Sequence, residues 1–206
     1  MTEPFDQAQM WNERYREPGY QFGTEPSLFI AAHVGLLTSR SEVLCVGDGE
    51  GRNGVFLAEH GMRVSSFDVS EVAVAKAGRL AADRGVSVDR HVMSIHDWDW
   101  VPYRFDAVVA IFIQFLGPGP RAEAFAQMLR TLRPGGLMML HGYTPEQIAL
   151  GTGGPPVAEN MYTPELLAEA FPEHEIIELV AYEAELAEGP WHHGRSALID
   201  CVIRKR

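Results

Sequence analysis

The stretch that decides the fold is Glu42–Asn53, which reads EVLCVGDGEGRN. Residues 42–47 form a short apolar run that predicts a buried strand, and glycines then stand at the alternate positions Gly47, Gly49 and Gly51. Glycines spaced in this way directly after a strand let the backbone turn tightly and approach a ligand closely. We therefore interpret residues 47–51 as the ligand-binding turn of the first strand–helix unit.

Strand and helix patterns alternate on both sides of this turn. Beyond short helices near 8–16 and after Ser27, the patterns predict helices at 52–60, 72–84, 121–132 and 164–170, and strands at 62–68, 86–93, 105–112 and 137–140. This rhythm is typical of a parallel sheet covered by helices on both faces. Two last strands, 175–186 and 196–204, are joined by a short turn and should pair as an antiparallel hairpin. The predicted fold class is α/β, a Rossmann-like doubly wound sheet, mostly parallel, with a C-terminal antiparallel hairpin.

The length of 206 residues predicts one domain, 1–206. Within it we expect an N-terminal cap or lid and first helix at 1–40, a cofactor-binding core at 41–143, and a substrate loop, helix and terminal hairpin at 144–206. The irregular segment 144–163 carries the run GTGGPP at 151–156. A loop of that length in a compact domain is usually functional or disordered.

The composition narrows the kinds of partner. Asp and Glu number 28 against 17 Lys and Arg, a net charge of −11, and the basic residues are scattered, so we expect no nucleic-acid partner. The sequence shows neither a signal-peptide core nor an apolar run of about 18 residues, so we expect a cytoplasmic protein without a membrane partner. Cys45 and Cys201 stand in apolar runs and predict buried free thiols. We predict no metal site, and either a monomer or a homodimer.

Asp68 indicates what the glycine turn binds. It ends the second predicted strand, 21 positions after Gly47, and its two carboxylate oxygens match the paired hydroxyls of a ribose. Ser70 is the better N-cap for the next helix, which leaves Asp68 free for a ligand. The dinucleotide fingerprint GxGxxG would need glycine where Arg52 stands. The observed GxGxG spacing is typical of a loop that passes the sugar and methionine chain of S-adenosylmethionine.

Several motifs together give the chain a family resemblance. It resembles the class I S-adenosylmethionine-dependent methyltransferases, and within them the small bacterial tellurite-resistance-type proteins. The resemblance covers nearly the whole chain. It rests on the motifs WNERY at 11–15, YQFGTEP at 20–26, GDGEGRN at 47–53, DVS at 68–70, LRPGG at 132–136, YTPEQ at 143–147, GTGGP at 151–155 and HHG at 192–194.

This resemblance implies how S-adenosylmethionine would be held. The glycine turn would line its methionine and ribose parts, the end of the second strand would hold the ribose and touch the adenine, and the ends of the third and fourth strands would enclose the adenine. The N-terminal motifs would fold over the cofactor, with Arg14 paired to its carboxylate. The residues so implied are Arg14, Tyr20, Gly47, Asp48, Gly49, Asp68, Val69, Ser94, Ile95, His96, Ile111 and Phe112.

Two departures from the family pattern concern the cofactor. Cys45 stands where the family usually has an acid that orders the methionine end, and Asp48 is the candidate to replace it. After the third strand the family commonly has an Asp or Asn that receives the adenine amino group. Here the positions 94–96 compete for that place, and Asp97 is the nearest carboxylate.

The substrate side is predicted from aromatic and titratable residues. Ring faces attract a methylsulfonium charge, and a neutral imidazole can take a proton near pH 7. His192 is the first candidate base, and His141 is its rival because it follows the fifth strand at the edge where such sites open. The candidate wall residues are Trp11, Tyr15, Phe22, Phe112, Phe115, Tyr143, Trp191 and His192.

The function predicted from the sequence is methyl transfer from S-adenosylmethionine to a small-molecule acceptor by in-line displacement. The acceptor atom stays open between a thiol, a chalcogen oxyanion, a hydroxyl and a ring nitrogen. One alternative is a non-catalytic protein that binds S-adenosylmethionine as a sensor or partner, which the loss of the acid at Cys45 favours. A dinucleotide-dependent oxidoreductase is the other, and both Arg52 and the terminal hairpin count against it.

Overall fold

The computed structural model describes residues 6–206, so the first five residues of the predicted N-terminal cap lie outside the described part. Strands and helices alternate through the middle of the chain. The strands are β1 Glu42–Val46, β2 Arg63–Asp68, β3 Asp89–Val92, β4 Phe105–Ile111, β5 Leu132–Tyr143, β6 Glu175–Ala187 and β7 His193–Arg204. The helices are α1 Gln7–Tyr15, α2 Leu28–His33, α3 Arg52–Glu59, α4 Glu71–Asp83, α5 Pro118–Thr131, α6 Gln147–Leu150 and α7 Pro164–Ala170.

All seven strands join one sheet in the order β3-β2-β1-β4-β5-β7-β6. The pairs among β1 to β5 are parallel, and β7 runs antiparallel to both β5 and β6. This confirms the predicted fold class, including the antiparallel terminal hairpin. The chain leaves β1 toward β2 on one side and returns at β4 on the other, so the strand order reverses beside the glycine turn. Ligands of open α/β sheets bind at such a switch point, beyond the carboxyl ends of the strands.

Several boundaries differ from the sequence prediction, the largest of them at β5, which spans Leu132–Tyr143 rather than 137–140. β3 begins at Asp89 rather than near 86, because Val86 still caps α4 through its N–H on Ala81 O. β5 extends to Tyr143 because β7 pairs with it along its whole carboxyl half. The connection from β3 to β4 holds no helix, and Trp98 instead stacks on Phe67 with ring centroids 4.6 Å apart. That stacking covers the sheet where a crossover helix would otherwise pack.

The central strands are buried on both faces, as expected for a sheet covered by helices. Leu44 and Val46 of β1 belong to the core on one face, while Val43 and Cys45 belong to the core on the other. Both cysteines are free and buried, which confirms that prediction. Ser27 and Ser70 cap α2 and α4 through their hydroxyls, as their sequence context indicated.

Two buried ion pairs fasten the N-terminal segment over the glycine turn. Glu50, in the turn itself, accepts from Lys76 Nζ at 2.8 Å and from the N–H of Gln21 at 2.6 Å. The same lysine donates to the carbonyls of Glu17 and Gly19 at 2.9 and 2.6 Å. One carboxylate and one ammonium group therefore hold residues 17–22 against the turn.

The second ion pair joins the turn to the terminal hairpin. Arg52 Nη2 lies 2.8 Å from Glu188 Oε2, and both side chains are 6% exposed. Arg52 also donates to the carbonyl of Phe22 at 3.0 Å, and Glu188 accepts from the N–H of Leu28 at 3.0 Å. Although burial would raise the pKa of Glu188, its contacts with His192 and Arg52 lower that pKa to about 2. The pair thus stays charged across the physiological pH range and links three distant parts of the chain.

Gly51→Ala should destabilise the fold by about 3 kcal/mol. Gly51 has φ 87°, and an added Cβ would lie 2.5 Å from the Cβ of Ala77. The left-handed backbone costs roughly 1–2 kcal/mol and the forced contact roughly 1–3 kcal/mol. The matched control is Gly85→Ala, since Gly85 has φ 69° but no atom within 4 Å of the added Cβ. Urea unfolding checks both variants, and equal losses would show that the contact with Ala77 contributes nothing.

Arg52→Met should lower the free energy of unfolding by about 3–5 kcal/mol, because it leaves the Glu188 carboxylate buried without its partner. Adding Glu188→Gln should restore part of the loss by removing that charge. The control is Arg133→Met, since the Arg133–Asp106 pair is 41% and 40% exposed and should cost less than about 1 kcal/mol. If the Arg52 and Arg133 variants unfold at the same urea concentration, the buried Arg52–Glu188 pair does not hold these parts of the chain together.

Candidate functional site

A cavity of about 700 Å³ opens beyond the carboxyl ends of the parallel strands. Its volume falls within the range of about 300–1,000 Å³ that is typical of small-molecule sites. Its walls come from α1, the glycine turn, the ends of β2, β4 and β5, the segment after β3, the loop 152–156 and the turn of the terminal hairpin. Segments far apart in the sequence therefore enclose one space.

The structure brings most of the predicted site residues to this cavity. Ten of the cofactor candidates line it: Arg14, Gly47, Asp48, Gly49, Asp68, Val69, Ser94, Ile95, Ile111 and Phe112. So do His192 and the substrate candidates Trp11, Tyr15, Phe22, Phe115, Tyr143 and Trp191.

Three predicted residues have a different placement. Tyr20 packs beside the core under α3 and α4, with its hydroxyl donating to the carbonyl of Lys76 at 3.2 Å. His96 is exposed on a turn that the Ser94 hydroxyl holds through the His96 N–H. His141 is buried, with Nδ1 2.5 Å from Asp200 Oδ1, and its ring packs against Phe112 rather than lining the cavity. These placements correct the expectation that the three side chains face the ligands.

The carboxylate of Asp68 is held in place by backbone donors. The N–H of Gly49 donates to Oδ2 at 3.0 Å, and the N–H of Ser70 donates to Oδ1 at 2.9 Å. Gly49 has φ 57°, and an added Cβ would lie 2.8 Å from the Tyr15 hydroxyl, so the turn fits under α1 only with glycine here. Burial raises the pKa of Asp68 to about 6, although the backbone donors act to lower it.

Asp48 is the second carboxylate of the cavity wall. Its Oδ2 lies 3.3 Å from the N–H of Gly54, in the first turn of α3. Burial, with the nearby charge of Asp68, raises the pKa of Asp48 to about 7. Cys45, by contrast, is fully buried in the core and does not line the cavity. Asp48 is therefore the acidic residue of the first strand and turn that faces the cavity without an ion-pair partner among the described residues.

Five rings form what we call the aromatic box: Phe22, Phe112, Tyr143, Trp191 and His192. The His192 ring lies 4.5 Å from that of Phe22 and 4.2 Å from that of Phe112. Phe112 holds φ 56°, a left-handed conformation that is strained for a phenylalanine and places its ring between those of His192 and His141. The N-terminal segment, the strand ends and the hairpin turn thus build the aromatic box together.

His192 is a neutral imidazole in this box. Burial lowers its pKa, Glu188 opposes that shift, and the charge of Arg52 adds to it. Its Nδ1 is sealed from solvent and lies 3.7 Å from Glu188 Oε2, beyond hydrogen-bond distance. The carboxylate still favours the tautomer that carries its proton on Nδ1, which leaves Nε2 as the basic atom.

The loop 152–156 closes the cavity over Tyr143. The Thr152 hydroxyl donates to the carbonyl of Arg195 at 2.6 Å, and Gln147 Nε2 donates to Thr152 Oγ1 at 2.9 Å. An added Cβ on Gly153 would lie 2.7 Å from the Tyr143 hydroxyl, so glycine lets the loop lie directly on that ring. Sequence reasoning identified this loop as functional or disordered, and the structure shows it ordered against the cavity.

Sequence reasoning missed the residues that form the two buried ion pairs. Glu50 and Arg52 were treated as spacing within the turn, yet both line the cavity and fix its lid. Glu188 lies 136 positions from its partner, so no local pattern marks it. Gly189 carried the one available signal, since it packs against the backbone of Phe22 and Gly23.

Residues 6–206 hold neither a cluster of metal-binding side chains nor a helix that could span a membrane. No group of three or more His, Cys, Asp or Glu side chains in that range is arranged to hold a metal ion. Within the same range, none of the helices is both long and apolar enough to cross a membrane.

Known proteins resemble this chain in sequence. Residues 43–136 match the sequence family described as "Methyltransferase domain". The chain is 33% identical over 111 residues to the S-adenosyl-L-methionine-dependent Diels-Alderase iccD of Talaromyces variabilis, a match that covers 50% of this chain and 37% of that protein. The chain therefore spans little more than a third of the length of this curated relative.

Solved structures share the fold over nearly the whole chain. A structure described as "Conversion of a Disulfide Bond into a Thioacetal Group during Echinomycin Biosynthesis" has a TM-score of 0.81 at 18% identity, covering 97% of this chain and 92% of the other. TehB from Haemophilus influenzae has a TM-score of 0.70 at 16% identity, covering 97% and 67%. Residues 43–136 therefore resemble a methyltransferase domain in sequence, and nearly the whole chain shares its fold with solved structures that include TehB.

Proposed function

We propose that the protein transfers a methyl group from S-adenosylmethionine to a small-molecule nucleophile. The observation that carries this proposal is that one cavity joins the glycine turn and Asp68 to the aromatic box and His192. The first part suits a nucleoside and the second suits a methyl acceptor. A site that bound only the nucleoside or only the acceptor would not need both parts of the cavity.

The residues of the cofactor part fit S-adenosylmethionine. Asp68 would hold the ribose hydroxyls, and Asp48 would face the ammonium group. Arg14 has its guanidinium 5.1 Å from the ring of Trp11 and 5.6 Å from that of Trp191, and no described carboxylate pairs with it. That leaves the guanidinium free to pair with the cofactor carboxylate. Val69, Ser94 and Ile95 would border the adenine.

The box residues provide what methyl transfer requires of a protein. When bound, S-adenosylmethionine supplies a methyl group on a positively charged sulfur. The ring faces of the box favour that charge and exclude bulk water. His192 accepts the acceptor's proton on Nε2, and the Glu188 carboxylate beside Nδ1 stabilises the imidazolium that forms. We assign two contributions to the chain: the aromatic box positions the acceptor, and His192 takes its proton.

The experiment that tests the proposal is a screen for S-adenosylhomocysteine release. The protein is incubated with S-adenosylmethionine and with thiols, phenols, azoles or chalcogen oxyanions, and product is measured by mass spectrometry. Release with an acceptor class, lost in His192→Gln but with cofactor binding kept, supports the assignment. No binding of S-adenosylmethionine at millimolar concentration would overturn it.

A second candidate function is a ring-forming reaction that uses the cofactor without transferring its methyl group. The relative from Talaromyces variabilis is a S-adenosyl-L-methionine-dependent Diels-Alderase, and this favours the candidate. The closed, largely apolar box would also hold a folded polyene. The two functions differ in one measurement, because a cyclisation consumes its substrate without releasing S-adenosylhomocysteine.

Asp68→Asn should weaken S-adenosylhomocysteine binding by about 10- to 100-fold, since a hydrogen bond to a charged group contributes about 1.5–3 kcal/mol. The matched control is Asp97→Asn, because Asp97 is exposed and does not line the cavity. Isothermal titration calorimetry measures both variants. Equal affinities for the two variants would show that Asp68 does not hold the cofactor.

Binding of S-adenosylhomocysteine should release protons near pH 6–7. Asp48 and Asp68 have pKa values of about 7 and about 6 and are partly protonated there, and the ligand's ammonium group favours their ionised forms. The release should fade above about pH 8, where both are already ionised. Because these pKa values lie above the ordinary value, the same ionisations lower the stability of the ligand-free fold as the pH rises from about 4 to about 7.

Calorimetry in buffers of different ionisation enthalpy measures this release. Asp48→Asn should reduce it, whereas Asp97→Asn should leave it unchanged. An equal release from both variants would show that Asp48 does not face the ammonium group.

A further inference from the structure

The acceptor end of the cavity holds two polar groups whose hydrogen bonds are unmade. The Tyr143 hydroxyl is buried beneath Gly153 and makes no hydrogen bond to any residue in 6–206, and the same is true of the buried Nδ1 of His192. Tyr143 is 1% exposed, and burial raises the pKa of its hydroxyl above the ordinary value, so this group is a neutral donor. A buried polar group without a partner is costly to a fold. Because Tyr143 lines the cavity, a ligand atom that enters beneath Gly153 would supply the partner that this hydroxyl lacks.

The charges around the box indicate that this ligand carries no charge of its own. Arg52 is neutralised by Glu188 at 2.8 Å. His192 is neutral because burial lowers its pKa. Of the described cationic side chains that line the cavity, this leaves Arg14, which stacks between two indoles at the α1 side. A charge enclosed without a partner is strongly disfavoured, and no described side chain of the aromatic box offers an oxyanion a compensating cation.

We propose that the acceptor is an uncharged aromatic or heteroaromatic ring that bears a hydroxyl, a thiol or a ring N–H. This inference rests on the proposed function. It narrows the possible acceptor classes by excluding chalcogen oxyanions. Ring walls at Phe22, Phe112 and Trp191 give a flat apolar ligand offset-stacked or edge contacts. A hydroxyl or thiol of the ligand accepts from the Tyr143 hydroxyl and donates its hydrogen to Nε2 of His192, whereas a ring N–H makes only the second of these hydrogen bonds.

The test is direct binding, which does not depend on turnover. The probes are 4-chlorophenol, 4-hydroxybenzenesulfonate and sodium selenite, each titrated by calorimetry into the protein with and without saturating S-adenosylhomocysteine. We expect 4-chlorophenol to bind at least about tenfold more tightly than either anion. Tyr143→Phe should weaken its binding about fivefold, the effect of one lost hydrogen bond of about 1 kcal/mol.

The matched control is Tyr182→Phe. Tyr182 donates to Asp200 at 3.2 Å and does not line the cavity, so its variant should bind 4-chlorophenol unchanged. Thermal unfolding of both variants shows that they fold. Tighter binding of selenite or the sulfonate, no binding of any probe, or equal effects of the two variants would overturn the inference. The separate titration of S-adenosylhomocysteine reports on the proposed function, so the two can fail independently.

Discussion

The buried pair of Arg52 and Glu188 is the interaction on which the site depends. It joins the terminal hairpin to the first turn of α3 and to the N-terminal segment, which Glu50 and Lys76 also hold against the glycine turn. Arg52 binds the carbonyl of Phe22, and Glu188 lies 3.7 Å from the His192 ring. The pair therefore sets Phe22 beside His192. A buried ion pair adds little net stability compared with apolar packing, but breaking it is costly. Its effect is therefore to fix one arrangement of the lid rather than to stabilise the fold in general.

The sequence was informative where a local pattern determines the structure. Glycine spacing, the strand-end position of Asp68 and the alternation of apolar runs are local patterns, and the strand–helix order and the fold class followed from them. Ser70 was identified as the cap of α4, and its hydroxyl accepts from the Ala73 N–H. The length of β5 was not predictable, because its extension to Tyr143 depends on pairing with β7, over 50 positions away.

Side-chain direction was the other limit of sequence reasoning. His141 and His192 both follow or flank strands at the open edge, and their sequence contexts favour neither. The structure turns His141 toward Asp200 and His192 toward the cavity, because Phe112 occupies the space between them. Tyr20 shows the same limit, since it lies in a family motif but points toward α4. Residues that act by holding others, such as Glu188 and Lys76, have no motif of their own.

The two halves of the cofactor site differ in how much the protein prepares them. Asp68 already accepts from two backbone N–H groups, so its oxygens are fixed before any ligand arrives. Asp48 has the weaker support of one N–H at 3.3 Å and a pKa of about 7. An acid at position 45 would be enclosed in the apolar core that now holds Cys45, so the cavity-facing Asp48 is the better site for a carboxylate in this chain. Because its ionisation near neutral pH is incomplete, a cationic ligand group would itself complete the methionine end of the site, whereas the ribose end is built in advance.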